Sequence, residues 1–246
     1  FFGGGGGAMT KRPGSSPDLW AGHDQKALKK RCLAYWAEQS ETEAGMTGGI
    51  PPTFAVADCK ESLEFLAAVQ AEREGGAPFA TALDCGAGIG RATRAVLLQL
   101  PGLRRVDLLE PAPQLRRKAR EDLGREKQVG RFFPQPVQDF TTAQRYDLVW
   151  IQWVLMYLTD DDAVKTLRNA ASWLKAGGCL VLKENIDNRP TGDGLDEKDS
   201  SVTRSAKHFE SLFAQAGLVV RKKQRQQKWS VKLFQMTMWW LGPGEK

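Results

Sequence analysis

The sequence predicts an α/β domain with a doubly wound, mostly parallel seven-stranded sheet, an antiparallel C-terminal hairpin and an N-terminal helical cover. Three observations predict it. After Gly75-Gly76, short Leu/Val-rich runs alternate with amphipathic stretches of about ten to fifteen residues, the rhythm of strands joined by helical crossovers. The first of these runs ends in a glycine-rich turn, Asp84-Cys85-Gly86-Ala87-Gly88-Ile89-Gly90. The last two runs have no helix between them, which suits a hairpin rather than another crossover.

The elements follow in chain order. Residues 1–17 are rich in Gly, Pro and polar residues and are expected to form a flexible leader. Asp18 can cap a helix running to about Glu38, which carries Leu28, Cys32, Tyr35 and Trp36 at helical spacing. Gly45 to Pro52 reads as a loop, and residues 61–72 as a second helix. Strands are expected at 79–84, 105–110, within 130–138, at 146–152 and at 179–184. Helices are expected at 91–100, 113–123 and 160–174, with Gly177-Gly178 as a stop signal. A polar stretch over 185–198 precedes a helix from about Val202 to Ala216, and 218–224 and 232–240 form the closing pair. Residues 18–246 then form a single domain, with a helical cover over 18–75 and an α/β core over 76–246.

Composition excludes several classes. No apolar run approaches the roughly 18–20 residues of a membrane span, and the glycine-rich first nine residues lack the pattern of a signal peptide. The four cysteines and two histidines have no metal-ligand spacing, so a reduced protein of the cytoplasm or nucleus is expected. The net charge of +6 is spread along helices without aromatic interleaving, which disfavours nucleic acid as a partner. Arg221 to Arg225 reads as a solvated strand edge, and Lys29-Lys30-Arg31 as a solvated helix face.

The chemistry sits where strands end. Glycines at a strand-to-helix turn let backbone approach a ligand closely, a device shared with dinucleotide-binding proteins. Here Gly86-x-Gly88-x-Gly90 follows an acidic residue and lacks the third glycine position of the nicotinamide fingerprint. It matches the turn of S-adenosylmethionine-dependent methyltransferases. Glu110, at the end of the second strand with Pro111 and Ala112 beside it, is placed to accept ribose hydroxyls. Arg91 can meet a carboxylate of the cofactor or be an ordinary surface arginine. Gln138 falls near the adenine edge if the preceding loop is functional. Gln152, Trp153 and Tyr157 follow the fourth strand, at the carboxyl ends that face ligands in such sheets. Core packing is the competing reading for Trp153. Asn185 ends the fifth strand, and Asp199-Ser200 can cap the next helix, a role that leaves Asp196 unexplained.

Residues from about Arg31 to Leu241 resemble the eukaryotic protein α-N-terminal methyltransferases, which act on X-Pro-Lys amino termini. The segments that carry the resemblance are Tyr35-Trp36, Gly45-Met46-Thr47-Gly48-Gly49, the glycine turn, Trp150-Ile151-Gln152-Trp153-Val154, Leu158-Thr159-Asp160, Lys183-Glu184-Asn185 and Asp199-Ser200-Ser201-Val202. The resemblance implies the Rossmann-like class I methyltransferase fold. It implies that Gly86, Gly88, Arg91, Glu110, Val137, Gln138 and Gln152 contact S-adenosyl-L-methionine, with Trp36 and Met46 closing over it. It further implies that Trp153 faces the substrate proline and Asn185 the α-amino group. Asp196 and Asp199 would meet the substrate lysine or take the amine proton, and Ser201 and Phe234 would line the peptide channel.

The chain departs from the animal members of that family at three places. They carry Asp where Glu110 stands, His at Tyr157 and Tyr at Phe234. A tyrosine, with a reference pKa of about 10, is a poor base at neutral pH, so the base role moves to Asp199 with Tyr157 as orienter. The expected activity is methyl transfer to protein N termini by a monomer or weak dimer. The alternatives are a small-molecule or other amine methyltransferase of the same fold, and a catalytically silent scaffold that binds cofactor or peptide.

Overall fold

The computed structural model describes residues 24–189, 194–228 and 234–244. Asp18, the leader and the start of the expected last strand lie outside them. A seven-stranded sheet runs in the order β3-β2-β1-β4-β5-β9-β8, and a two-stranded hairpin, β6-β7, stands apart. The core strands β1 (Thr81–Cys85), β2 (Arg105–Leu109), β3 (Val129–Phe133), β4 (Tyr146–Gln152) and β5 (Leu174–Ile186) are parallel. Strand β9 (Gln235–Pro243) is antiparallel to both β5 and β8 (Leu218–Arg225).

The apolar runs read from the sequence are strands buried on both faces, and their alternate residues sort to opposite sides. Leu83, Val149, Ile151, Leu180 and Leu182 pack with Phe140, Trp173, Phe209 and Phe213. Their neighbours Ala82, Leu148, Trp150 and Val181 pack on the other side with Phe65, Leu66, Val69 and Leu97. Helices α6 (Asp160–Ser172) and α7 (Ala206–Gln215) therefore cover one face. Helices α3 (Pro52–Glu72), α4 (Arg91–Ala95) and α5 (Pro113–Leu123) cover the other.

Several boundaries differ from expectation. Helix α1 (Gln25–Glu38) opens at Asp24, whose carboxylate accepts the N–H groups of Lys26 at 2.9 Å and Ala27 at 3.2 Å. The expected loop from Gly45 contains a short helix, α2 (Glu43–Thr47), capped by Thr42 and ended by Gly48 at φ 63°. Helix α3 starts at Pro52, well before Glu61, because proline fits the first turn of a helix, where no N–H is needed. The helix after the glycine turn breaks at Val96 into a 3₁₀ turn. Strand β5 begins at Leu174, and Gly177-Gly178 lies within it rather than ending a helix. Its pairing with β4 jumps from Tyr146–Leu174 to Leu148–Cys179, so the residues between loop outward through Gly177 at φ 69°.

The stretch expected to be a polar loop and helix cap holds the hairpin β6 (Gly194–Asp196) and β7 (Ser201–Thr203). Asp199 and Ser200 form its turn and cap no helix. Asp199 Oδ1 accepts the Ser201 N–H at 2.9 Å, and α7 is capped instead by Ser205. A left-handed turn residue, Ser200 at φ 61°, sets the reversal that a helix cap does not require. No helix among the described residues is long and apolar enough to cross a membrane.

Candidate active site

The carboxyl ends of β1, β2, β4 and β5 open into a cavity of about 370 Å³, roofed by α1 and α2. Strand order reverses between β1 and β4, where open α/β sheets place their ligands. The roof is fixed to α5. Gln114 Nε2 donates to the Trp36 carbonyl at 2.6 Å, Arg117 pairs with Glu41 at 2.6 Å, and Trp36 and Met46 pack against Ile89, Ala112 and Leu115.

The glycine turn is tied to the second strand: the N–H groups of Gly86 and Ala87 both donate to the Leu109 carbonyl, at 2.8 and 3.1 Å. Gly86 has φ 72°, and a Cβ there would run into the Val154 side chain. Gly88 has φ 56°, and a Cβ there would stand 3.0 Å from Met46 Sδ, pressing on the roof of the cavity. Only glycine leaves the cradle open.

Glu110 lines the cavity beside Pro111 and Ala112. Its Oε2 accepts the Gly88 N–H at 2.8 Å and its Oε1 the Ala112 N–H at 2.7 Å. Each oxygen keeps a second lone pair for a hydroxyl. Burial raises this carboxyl to about 7, against the downward pull of the Ala112 and Gly88 N–H groups. Asp84, below the turn, accepts the Thr93 hydroxyl at 2.5 Å and is likewise raised by burial, to about 6.

Arg91 is no surface arginine. It is buried, its guanidinium lies 5.2 Å from the Trp153 ring centroid, and Nη1 pairs with Asp58 at 2.9 Å. Gln152 Nε2 donates to the same Asp58 oxygen at 3.3 Å, while Gln152 Oε1 is buried with no partner among the described residues. Lys183, fully buried in β5, pairs with Asp58 and donates to Ser62 Oγ at 2.8 Å. Sequence reasoning missed Asp58. The available signal was that Asp58 and Ser62 continue the buried stripe of Phe65, Leu66 and Val69 along α3.

Trp153 is not packed away in the core; it takes a left-handed backbone conformation, φ 55°, which costs a bulky residue about 1–3 kcal/mol. The turn is held by the Trp153 N–H to the Lys183 carbonyl at 3.1 Å and by Trp153 Nε1 to Asn185 Oδ1 at 3.3 Å. The fully buried Glu184 then accepts the N–H groups of Val154 and Leu155 at 2.8 and 2.7 Å, and burial raises it to about 7. From the far side, Arg204 donates to the carbonyls of Leu155 and Leu158 at 2.7 and 2.6 Å. Arg204 itself pairs with Asp160, which also meets His208 Nε2 at 2.7 Å.

This clamped turn presents Tyr157, whose hydroxyl donates to Asp199 Oδ2 at 3.3 Å and whose ring meets Trp36 edge-on at 5.6 Å. Burial, then the Asp199 charge, pushes the phenol well above its usual range. Tyr157 is therefore a hydrogen-bond donor here and not a base. Asp199, Asn185, Val137, Gln138 and the half-exposed Phe234 share the cavity wall. Asp196 and Ser201 do not. They are cross-strand partners in the β6-β7 hairpin, with Asp196 exposed and capping the Lys198 N–H at 2.8 Å, and Ser201 buried.

The residues fit S-adenosylmethionine. The two spare lone pairs of Glu110 suit ribose hydroxyls, the orphaned Gln152 Oε1 suits an amine donor, and the glycine cradle leaves room for both. Ribose hydroxyls favour the charged form of Glu110, so cofactor binding is expected to expel a proton near neutral pH. Affinity for S-adenosylhomocysteine should then rise between about pH 6 and about pH 8, by at most about tenfold per unit. Calorimetry across that range checks it, and Glu110→Gln should bind more weakly with a flattened profile. In the empty fold the sense is opposite: the raised carboxyl contributes stability at acid pH that is lost as pH climbs through about 7. A flat wild-type binding profile would remove the ribose assignment.

A family model described as AdoMet dependent proline di-methyltransferase matches residues 24–242. The chain is 38% identical over 215 residues to N-terminal Xaa-Pro-Lys N-methyltransferase 1 of Danio rerio, across 87% of this chain and 94% of that protein. It is 39% identical over 209 residues to Alpha N-terminal protein methyltransferase 1 of Drosophila melanogaster, across 83% and 72% of the two chains. A solved SAM-dependent methyltransferase of Leishmania major is similar at a TM-score of 0.80 and 34% identity, covering 92% of this chain and 87% of that one.

Proposed function

The chain belongs to the AdoMet-dependent proline di-methyltransferase family, and on that premise we propose that its substrates are proteins whose exposed N termini read X-Pro-Lys. It is an S-adenosylmethionine-dependent enzyme that methylates protein N termini. The observation that carries the finer reading is the shared cavity wall on which Asp199, held by Tyr157 and the Ser201 N–H, stands with Trp153 and Asn185.

S-adenosylmethionine, when bound, supplies a methyl group activated by a sulfonium centre. Gly86, Gly88, Arg91, Glu110, Gln138 and Gln152 would hold it. Asn185 orients the substrate's α-amino nitrogen, with its own amide set by the Trp153 indole N–H. The Trp153 ring gives the pyrrolidine of the second residue a flat apolar face. An α-amino group has a reference pKa of about 7.7–8.0, so about a tenth is neutral at pH 7 without help. Asp199 takes the single proton that leaves the nitrogen as the nitrogen–methyl bond forms and the methyl–sulfur bond breaks, the electron pair of that bond staying on the sulfur of the departing S-adenosylhomocysteine. Asp196, outside the cavity on the hairpin rim, meets the substrate lysine where the peptide emerges. The four free cysteines suit a reducing compartment, cytoplasm or nucleus.

The test offers labelled S-adenosylmethionine with a hexapeptide beginning Ser-Pro-Lys, beside the same peptide acetylated at its amino terminus. Label on the free peptide alone supports the reading. Transfer to neither peptide, with cofactor binding intact by calorimetry, would withdraw the substrate and move a small-molecule amine to the front.

A further inference from the structure

We propose that Asp58 is a positioning residue for the cofactor: from α3, outside the cavity, it aims the Arg91 guanidinium and the Gln152 amide at the amino-acid end of S-adenosylmethionine. The proposal rests on the reading of Arg91 as the cofactor's carboxylate partner.

Asp58 is buried and divides its two oxygens between two tasks. Oδ1 faces Lys183, whose ammonium also donates to the Asp58 carbonyl at 3.1 Å and to Ser62 Oγ at 2.8 Å, tying α3 to β5. Oδ2 faces the site, meeting Arg91 Nη1 at 2.9 Å and Gln152 Nε2 at 3.3 Å. Both site residues line the cavity and Asp58 does not. One carboxylate therefore fixes two ligand-facing side chains from different elements, the start of α4 and the end of β4.

The charge count points the same way. Asp58 alone pairs directly with two buried cations, Arg91 and Lys183, the three side chains being 2%, 7% and 0% exposed. A buried cation without a counter-charge is costly. Asp58 is the carboxylate that pairs directly with Arg91, while Asp84 and Glu43 act on it from farther off; Arg91 is the cluster's member on the cavity wall, so a ligand carboxylate arriving there gives it a second direct partner. Gln152 Oε1, freed as an acceptor because its amide nitrogen is committed to Asp58, is set for the ammonium beside that carboxylate.

The experiment compares calorimetric affinity for S-adenosylhomocysteine with that for 5′-methylthioadenosine, which keeps the nucleoside and lacks the amino-acid end. Asp58→Asn is expected to weaken S-adenosylhomocysteine about 10- to 100-fold, the loss of a hydrogen bond to a charged group, and to leave 5′-methylthioadenosine nearly unchanged. Asp58→Glu, which keeps the charge, should recover much of that discrimination. Ser62→Ala, on the Lys183 side, should lower the thermal midpoint without altering the ratio of the two affinities. Equal weakening of both ligands by Asp58→Asn would make its role merely structural and overturn the proposal; so would no weakening of either. Arg91→Lys separates the two readings. A selective loss of S-adenosylhomocysteine there, without one in Asp58→Asn or Asp58→Glu, rejects Asp58 alone, whereas no selective loss in Arg91→Lys rejects the carboxylate assignment itself.

Discussion

Asp199→Asn is expected to lower kcat on a Ser-Pro-Lys peptide by about 10²–10⁴-fold, the range for loss of a general base, while cofactor affinity by calorimetry stays close to wild type. The asymmetry follows from position. Asp199 is held by the Tyr157 hydroxyl at 3.3 Å and the Ser201 N–H at 2.9 Å, whereas Arg91 and Gln152 are held by Asp58 and Glu110 by the Gly88 and Ala112 N–H groups. An asparagine keeps the shape and can still accept the Ser201 N–H, but it cannot take a proton. Raising the pH supplies neutral amine without the enzyme, so the deficit should shrink above about pH 8. Parallel losses of kcat and cofactor affinity would move the base elsewhere.

The largest stability effect is expected at Arg204. Its guanidinium is fully buried and has four tasks: the carbonyls of Leu155 and Leu158, and Asp160 through both Nε at 3.0 Å and Nη2 at 2.9 Å. Arg204→Met strands two buried carbonyls and leaves Asp160 to His208 alone, a loss of about 3–5 kcal/mol by the measure of broken buried pairs. Urea unfolding reads it directly. Against the upward pull of burial, the His208 hydrogen bond and then the Arg204 charge hold Asp160 below the usual carboxylate range. The contribution is present at neutral pH and fades as pH falls through that depressed value, so the gap between wild type and variant should narrow in acid. A gap that widened in acid would mean that the Asp160 pair contributes nothing. Because the same guanidinium holds the segment that carries Tyr157, the variant should also turn over more slowly than its folded fraction accounts for.

The parts of this design that were legible in the sequence are those fixed by local pattern. Strands β1, β2 and β4 announce themselves as short apolar runs because both faces are buried, and the turn after β1 announces itself because only glycine fits there. Glu110, Arg91 and Gln152 then follow from the rule that ligands meet the carboxyl ends of parallel strands. What stayed hidden depends on distance or on weak signals. Asp58 and Lys183 are 125 residues apart, and neither charge looks buried until the two meet. The β6-β7 strands are three residues each and polar, below the length at which alternation is visible. Pro51-Pro52 reads as a break although it opens a helix of 21 residues. Asp196 is expected at the site from the resemblance alone, but it ends β6 outside the cavity, and the turn that follows brings Asp199 to the cavity wall.

Strand β9 has a consequence for biosynthesis. It is hydrogen-bonded on both sides, to β5 and to β8, and docking leaves its Met236, Met238, Trp239 and Leu241 fully buried. Its register sets Met236 against Asn185 and Thr237 against Glu184, so the strand that carries Asn185 to the cavity wall has an open edge while β9 is still on the ribosome. A nascent chain that has already emitted every residue proposed to contact the cofactor therefore still presents an unpaired strand and a hydrophobic slot. Translation stopped before β9 would yield a client for chaperones and proteases rather than a slow enzyme.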